Sequence, residues 1–170
     1  MEVKEALQRR RSIRKFTKDS VPEEAISELL HAAMSGPSAC NKAPWEFWVV
    51  TDEEVLKQLR GSTRFTNYES KLAIVVAGNL SRALPQQLAE YWIQDCSAAS
   101  ENILLQATEL GLGAVWCGIY PQKRAEKKVA EILGMTQKQI PLNILFIGYP
   151  AESPEARDQY KENCVHWVIR

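Results

Sequence analysis

Arginine and serine side chains are concentrated near the amino terminus in a pattern that could bind an anion. The segment RRRSIRKF spans residues 9–16 and places a serine among guanidinium groups. A guanidinium fork matches the oxygens of a phosphate in a bidentate way, and a serine hydroxyl adds a neutral hydrogen bond. The same residues could form a solvated basic loop or a weak nucleic-acid patch. By itself the segment leaves a phosphate site and a basic surface loop open.

A second candidate segment is a long turn of small and polar residues, GPSACNKAPW at residues 36–45. Small residues allow a backbone to approach a flat ligand closely. Asn41 offers both a donor and an acceptor to the edge of a ring. A plain connection between a helix and a strand is the alternative interpretation.

A third segment, GLGAVWCG at residues 111–118, is rich in glycine. It lacks the GxGxxG fingerprint of dinucleotide-binding folds and the lysine of a phosphate-binding P-loop. Alone, it indicates only that a helix ends at Gly111 and that a strand follows.

Composition narrows the class of protein. The chain has 170 residues, with 21 basic and 21 acidic side chains and zero formal net charge. This length predicts one domain over residues 1–170, and the neutral balance argues against non-specific nucleic-acid binding. No apolar run approaches the roughly 18 residues of a membrane span, and the charged amino terminus does not resemble a signal peptide. We therefore expect a cytoplasmic protein without a membrane partner.

The cysteines and histidines do not form a metal-ligand pattern. The four cysteines are widely spaced, with no Cys-x-x-Cys pair, and the chain has two histidines. Zinc sites use clustered ligands, so no metal site is predicted. We expect reduced and mostly buried thiols at Cys40, Cys96, Cys117 and Cys164.

Hydrophobic periodicity predicts at least four strands and about five helices that position these segments. A capping box at Ser20 and Glu23 would begin one helix, which ends near Gly36. A long helix over residues 86–110 is apolar nearly all round in its later part, which suggests that a partner subunit covers some of it. The other predicted helices cover 3–10, 52–60 and 123–133, and the predicted strands cover 45–51, 72–77, 113–119 and 143–147.

Together these segments resemble the nitroreductase family of FMN-dependent NAD(P)H oxidoreductases. The resemblance covers essentially the whole chain, in the family's usual order. It implies an α+β fold, with a mixed central sheet flanked by helices, and a homodimer whose FMN sites lie at the subunit interface. The resembling segments are RRRSIRKF at 9–16, PSACNKAPWEFWVV at 37–50, DCSAASENILLQATELGLGAVW at 95–116 and VHW at 165–167.

The resemblance also implies roles for individual residues, all of them in cofactor binding. FMN N5 carries the chemistry in this family, so no catalytic side chain is expected. The implied FMN contacts are Arg10, Arg11, Ser12 and Arg14 at the phosphate and ribityl chain, Pro37, Ser38, Ala39 and Asn41 along the ring, Asn67 at the pyrimidine, and Gly118 and Ile119 at the N5 edge.

The chain departs from the family pattern at Cys164. Family members often carry a basic residue just before the terminal Val-His, where it completes the phosphate clamp. Here the clamp would either be weaker or be closed by Arg170 or Lys161 instead.

The implied activity is hydride transfer from NAD(P)H through flavin N5 to a nitroaromatic, a quinone or a similar acceptor. Reductive dehalogenation, dehydrogenation and flavin cleavage are alternatives on the same fold. A non-enzymatic protein that binds nucleic acid through residues 9–14 is a further alternative. It is disfavoured by the neutral net charge and by the absence of aromatic residues among the arginines. Asp95 is expected to act as a cap or an interface partner rather than as an acid.

Overall fold

A four-stranded sheet forms the centre of the protein, in the order β1–β2–β4–β3. The computed structural model describes residues 1–169. The strands are β1 (Trp45–Val50), β2 (Leu72–Asn79), β3 (Gly113–Gly118) and β4 (Gln139–Gly148). The helices are α1 (Val3–Arg9), α2 (Glu23–Met34), α3 (Glu53–Arg60), α4 (Tyr91–Glu109) and α5 (Lys123–Leu133).

Helices cover the sheet on both faces. On β2, Leu72, Ile74 and Val76 pack in a cluster with α2 and α4. Ala73 and Val75 point to the opposite face and pack in a cluster with α3 and α5. Because alternate residues of a strand face opposite sides, burial of both faces makes the strand sequence continuously apolar.

The α+β class predicted from the sequence is confirmed, and the pairing of the strands refines it. All three strand pairs, β1–β2, β2–β4 and β3–β4, are antiparallel. The parallel component of the predicted mixed sheet is an isolated bridge between Ser12 and Ala114. The sheet proper is therefore antiparallel, and the amino-terminal segment adds the parallel contact.

Two predicted helix starts differ from the structure. Pro22 occupies the N-cap position of α2 without a side-chain cap, so the capping box at Ser20 does not form. The predicted helix over 86–110 divides into a 3-10 turn at Gln86–Leu88 and then α4. The start of α2 differs because Pro22 fixes an extended backbone at the entry to the helix. The start of α4 differs because Gln86 has a positive φ of 54°, which is not helical.

Helix α4 is largely covered within the protomer, and the expectation that a partner subunit covers some of it stays a prediction, because Ile93, Ala98 and Leu105 are only half-buried. Cys96, Ala99 and Ile103 are completely buried in the core. Tyr91, at the first turn, is the one large apolar side chain of α4 that is exposed. The helix is apolar nearly all round because it packs on the sheet and also against α1 and α2.

The three most exposed large apolar side chains among the described residues lie in the carboxy-terminal tail, defined as residues 151–169. The tail contains one 3-10 turn, at Glu162–Cys164, and is otherwise without helix or strand. Trp167, Val168 and Ile169 are 79%, 90% and 83% exposed, respectively. Consecutive large apolar side chains with this exposure are typical of a segment that packs on another surface.

The amino-terminal segment, residues 9–16, lies along the free edge of β3. The Ile13 amide donates a hydrogen bond to the Ala114 carbonyl at 2.9 Å, next to the bridge between Ser12 and Ala114. A Cβ atom on Gly113 would lie 2.7 Å from the Ile13 side chain, which is closer than real Cβ atoms come. The glycine therefore permits the segment to cover this edge, and unpaired strand edges otherwise attract other chains.

Gly113→Ala should destabilise the protein by about 1–3 kcal/mol because it forces Ile13 and its segment away from β3. Urea denaturation measures the free energy of unfolding. Gly61→Ala is the matched control, since the nearest atom to its Cβ would be the Gln58 carbonyl oxygen at 3.7 Å. We expect the control to change stability by no more than about 0.5 kcal/mol. Equal effects of the two substitutions would contradict the close approach.

Candidate functional site

Ser12 and Arg14 are held in place by backbone contacts on both sides of the amino-terminal segment. Ser12 pairs with Ala114 of β3. The Arg14 amide donates to a Glu152 carboxylate oxygen at 2.6 Å, and the Lys15 amide donates to the same oxygen at 3.2 Å. In an extended segment Ser12 and Arg14 share one side, while Ile13 faces the other side and packs on β3. The segment thus presents a hydroxyl and a guanidinium together.

Glu152 anchors this segment through its carboxylate. The Arg14 amide, and to a smaller extent the Lys15 amide, hold the pKa of Glu152 below its usual value. A carboxylate whose folded-state pKa is lowered stabilises the attachment above its unfolded pKa, and the effect is lost as pH falls through the lowered value. The attachment is therefore intact at neutral pH.

The arginines on either side of this pair already have partners. Arg10 Nε lies 3.3 Å from a Glu101 carboxylate oxygen on α4. An Arg11 guanidinium nitrogen donates to the Glu155 carbonyl of the tail. Arg11 shares the side of Ile13, so it does not point with Ser12 and Arg14. The four predicted phosphate contacts are therefore not equivalent in the protomer, and Ser12 with Arg14 is the available pair.

The predicted ring-contacting residues Pro37, Ser38, Ala39 and Asn41 form a tight loop fixed to α4. The Ala39 amide donates to a buried Asp95 carboxylate oxygen at 2.8 Å. The Ser38 hydroxyl oxygen accepts from the Ala43 amide at 2.9 Å. Asp95 is thus a positioning residue for the loop, in keeping with the expectation that it acts as a cap or partner.

Backbone strain is concentrated in the same loop. Cys40, Asn41 and Ala43 have positive φ values of 49°, 52° and 43°. Such conformations are costly for residues other than glycine, and they persist where surrounding contacts impose them. Clusters of strained residues are common at ligand sites, which makes this loop the strongest local candidate for a ligand contact.

Gly118 and Ile119 lie at the end of β3 in different environments. Gly118 is exposed, and a Cβ there would meet no atom within 4 Å. Ile119 is fully buried, and its amide already donates to the Leu142 carbonyl at 2.9 Å. The open space at Gly118 can admit a ligand, whereas the Ile119 amide is engaged by the protein.

Asn67 lies exposed in the loop between α3 and β2. This loop is tied to β3, because the Cys117 thiol donates to the Phe65 carbonyl with a sulfur-to-oxygen distance of 3.3 Å. The structure thus places Asn67 on a loop next to the strand that ends at Gly118.

The amino-terminal segment with its arginines, called the arginine segment below, and the strained loop, residues 37–43, approach α4 from different sides. Arg10 contacts Glu101, and Ala39 contacts Asp95, six positions earlier. Six residues of α-helix correspond to about 9 Å along the axis and about 120° around it. Within one protomer, these contacts with α4 therefore do not bring the arginine segment and the strained loop to the same site.

The cysteines divide into two classes. Cys96 and Cys117 are buried, whereas Cys40 and Cys164 are exposed, and all four are free. The prediction of mostly buried thiols therefore holds for two of them and is wrong for the other two, which lie in a loop and in the tail. Burial raises the pKa of Cys117 to about 12, and burial together with the neighbouring Asp95 raises the pKa of Cys96.

The predicted clamp around Cys164 is only partly described by the structure. Lys161 is exposed and precedes the 3-10 turn, where its carbonyl accepts from the Cys164 amide at 3.0 Å. Arg170, the other predicted substitute, lies outside the described residues.

Among residues 1–169, no helix combines the length and the apolar character that a membrane span requires.

Sequence reasoning missed the acidic residues that hold the site together. Glu152 and Glu101 contact the arginine segment through their carboxylates, and Glu155 contacts it through its backbone carbonyl, although all three are remote from it in sequence. An isolated glutamate carries no motif, so the sequence offers no signal for these contacts. Only the docking of the tail and of α4 brings them to the segment.

Comparison with known proteins decides the family. The model of the Nitroreductase family matches residues 7–69 and 66–149. The chain belongs to the nitroreductase family. A relative from Methanothermobacter thermautotrophicus, named "Putative NADH dehydrogenase/NAD(P)H nitroreductase", is 40% identical over 168 residues, which are 98% of this chain and 86% of the relative. The family predicted from the sequence is thereby confirmed.

Solved structures of the family share the fold along the whole chain. An FMN-dependent nitroreductase from Clostridium difficile superimposes with a TM-score of 0.88 at 32% identity, covering 97% of this chain and 98% of that one. A nitroreductase-type structure from Desulfovibrio desulfuricans in complex with FMN superimposes with a TM-score of 0.83 at 25% identity, covering 100% and 98%. The chain therefore has the nitroreductase fold over nearly all of its length.

Asp95→Ala should release the loop at Ala39, since a half-buried amide loses its acceptor. We expect a loss of about 1–3 kcal/mol in stability, because an unsatisfied buried group retains its desolvation cost. Amide hydrogen exchange at Ala39 should also accelerate. Asp95→Asn is the control, because its side-chain oxygen can still accept. Unchanged exchange at Ala39 in the alanine variant would contradict the positioning role of Asp95.

Thiol labelling should separate the cysteines by burial. We expect an aromatic disulfide reagent to titrate Cys40 and Cys164 quickly in the FMN-free protein. Cys96 and Cys117 should react only after unfolding, because the thiolate is the reactive form and burial disfavours it. Four rapid reactions in the native protein would contradict the assignment, and Cys117→Ser identifies the contribution of that thiol.

Proposed function

We propose that the protein is an FMN-dependent NAD(P)H oxidoreductase that passes hydride to a nitroaromatic, a quinone or a similar acceptor. The observation that carries this proposal is the pair Ser12 and Arg14, fixed between β3 and Glu152. Arg14 has no carboxylate ion pair among the described residues, so its charge is available to a ligand. Membership of the nitroreductase family, which includes FMN-bound relatives, supports the assignment.

The donor groups of the site suit the phosphate of FMN. A guanidinium and a hydroxyl on one side of a fixed backbone provide charged and neutral hydrogen bonds to phosphate oxygens. Glu152 accepts from backbone amides, and the Arg14 guanidinium has one long hydrogen bond, to the Ser12 carbonyl at 3.5 Å, so it is available to a ligand. Arg10 is close enough to contribute if it exchanges Glu101 for the phosphate, whereas Arg11 stabilises the tail.

The flavin ring would lie on the strained loop and at the end of β3. Residues 37–41 present small side chains and backbone, and Asn41 adds a donor and an acceptor. Gly118 leaves room for a flat ring beside the strand, and Asn67 would contact the pyrimidine side of the ring. FMN supplies hydride transfer at N5 when it is bound, and the protein contributes binding and orientation.

The acceptor reacts without a catalytic side chain in this proposal. Asp95, the buried carboxylate nearest the loop, is engaged by the Ala39 amide and does not act as an acid. Because the nucleotide and the acceptor use the same pocket in this proposal, the oxidised nucleotide leaves before the acceptor binds, and the reaction takes place in two half-reactions. We also propose that residues 1–170 form a single domain and that the protein is cytoplasmic.

We also propose a homodimer with the FMN sites at its interface. Two observations support it. The tail exposes Trp167, Val168 and Ile169 at 79%, 90% and 83%. The arginine segment and the strained loop reach α4 from different sides, so the loop of one protomer and the arginines of its partner could form each site. The tail supplies exposed apolar surface for this contact, and the half-buried side chains of α4 would add to it.

The purified protein should be yellow, and NADH or NADPH should bleach it under anaerobic conditions. Addition of a quinone or a nitroaromatic should restore the flavin absorbance. Parallel lines in double-reciprocal plots are expected from the two half-reactions. A colourless protein that does not bind added FMN would overturn the proposed function.

Arg14→Ala should weaken FMN binding about 10- to 100-fold, since a charged hydrogen bond is worth roughly 1.5–3 kcal/mol. Riboflavin has the same ring without the phosphate, so its affinity should change far less. Fluorescence titration measures both affinities, and Lys18→Ala is the charge-matched control in the same segment. Equal losses for FMN and riboflavin would show that Arg14 does not recognise the phosphate.

Light scattering should report about twice the protomer mass of 19.2 kDa. Trp167→Glu combined with Ile169→Glu should yield a folded monomer, because these side chains are exposed in the protomer and charge disfavours their burial. Glu162→Gln in the same tail serves as the control and should remain dimeric. A dimer that tolerates both glutamates would exclude the tail from the interface.

A further inference from the structure

A cationic cavity of about 520 Å³ lies between the loop after α3 and the first turns of α5. Three basic side chains, Arg64, Arg124 and Lys128, line it. The hydroxyl-bearing residues Ser62 and Thr63 line the same cavity. Its volume falls within the roughly 300–1,000 Å³ of small-molecule sites. The side chains are those that proteins use to bind phosphate.

The charge of the cavity is not neutralised by the protein. None of the three basic residues forms an ion pair with a carboxylate in residues 1–169, and no acidic residue belongs to the lining. In contrast, Lys123 in the first turn of α5 pairs with Glu126 at 3.0 Å on the side of another cavity. Three unpaired cations around one cavity attract an anion of high charge density.

The arginines are free to bind, and local contacts hold the cavity in shape. The Arg64 guanidinium lies over the Phe65 ring, 4.5 Å from its centroid. Arg124 is exposed on the first turn of α5, where the helix dipole also favours an anion. The Lys128 ammonium donates to the Gly61 carbonyl, which closes the loop onto the helix.

The cavity adjoins the end of β3 where the flavin ring is proposed to lie. The Phe65 carbonyl accepts from the Cys117 thiol, with sulfur and oxygen 3.3 Å apart. The Gln122 amide donates to the Ile119 carbonyl at 2.9 Å, and Gln122 lines the cavity. Both walls are thus attached to the strand end that carries Gly118. An extended dinucleotide with its nicotinamide at Gly118 could place its other end in the cavity.

We propose that this cavity binds the 2′-phosphate of NADPH and makes NADPH the preferred hydride donor. The proposal rests on the oxidoreductase function above. A site for the ribose of NADH commonly uses a carboxylate to accept from the 2′-hydroxyl, whereas arginines accommodate the 2′-phosphate. This cavity has two arginines and a lysine in place of a carboxylate.

The test is steady-state kinetics of the FMN-loaded protein with both nucleotides. Arg64→Gln combined with Arg124→Gln should raise KM for NADPH about 10- to 100-fold, since each tenfold change corresponds to about 1.4 kcal/mol. KM for NADH and the dissociation constant of FMN should change by less than threefold. Lys127→Gln removes one charge from the exposed side of α5 without touching the cavity and should behave as wild type.

Calorimetry provides a readout that does not depend on turnover. Adenosine 2′,5′-bisphosphate should bind the FMN-loaded protein more tightly than adenosine 5′-monophosphate. The double substitution should abolish the difference, and rising salt should weaken binding of the bisphosphate. Loss of FMN affinity in the double variant would mean that the cavity holds the FMN phosphate, which overturns the proposal.

The two proposals fail in different ways. If the wild-type protein binds FMN and is bleached by both nucleotides, but the double variant discriminates as the wild type does, the cavity does not recognise the 2′-phosphate and the oxidoreductase function stands. If the protein binds no FMN, the proposed function itself fails. Binding of the bisphosphate that is unchanged by the double substitution also overturns the cavity assignment.

Discussion

The contact between the amino-terminal segment and the free edge of β3 is the constraint on which the site depends. It is possible because Gly113 has no side chain, so Ile13 can pack directly on the strand. The backbone of Ser12 then follows Ala114, and Arg14 is delivered to Glu152. One close approach thus protects a sheet edge and also fixes the direction of the charged side chains.

Complete burial of the sheet explains how so short a chain positions separate loops. Helices α2 and α4 occupy one face, and α3 and α5 occupy the other. The buried sheet therefore gives the strand ends and the connecting loops a rigid scaffold, and binding residues can lie in these loops. Helix α4 has a second role, because its residues Asp95 and Glu101 hold the strained loop and Arg10, respectively.

The distribution of ion pairs separates the cations that are engaged within this protein from those that remain available to a ligand. Arg10 and Arg11 are engaged by Glu101 and by the tail. Arg14, like the cations beside α5, has no acidic partner in the described part of the chain. A neutral total charge conceals this arrangement, since acidic residues elsewhere balance cations that remain locally uncompensated.

The sequence by itself determined the family, the α+β class and most helices and strands, with α5 matching over Lys123–Leu133. These depend on local periodicity and on motifs that are contiguous in the chain. The tertiary structure alone decided that Cys96, Ala99 and Ile103 of α4 are buried within the protomer and that the tail is exposed. It also decided that Arg11 and the Ile119 amide are already engaged. Burial and hydrogen-bond partners depend on contacts between residues far apart in sequence, and no local pattern encodes them.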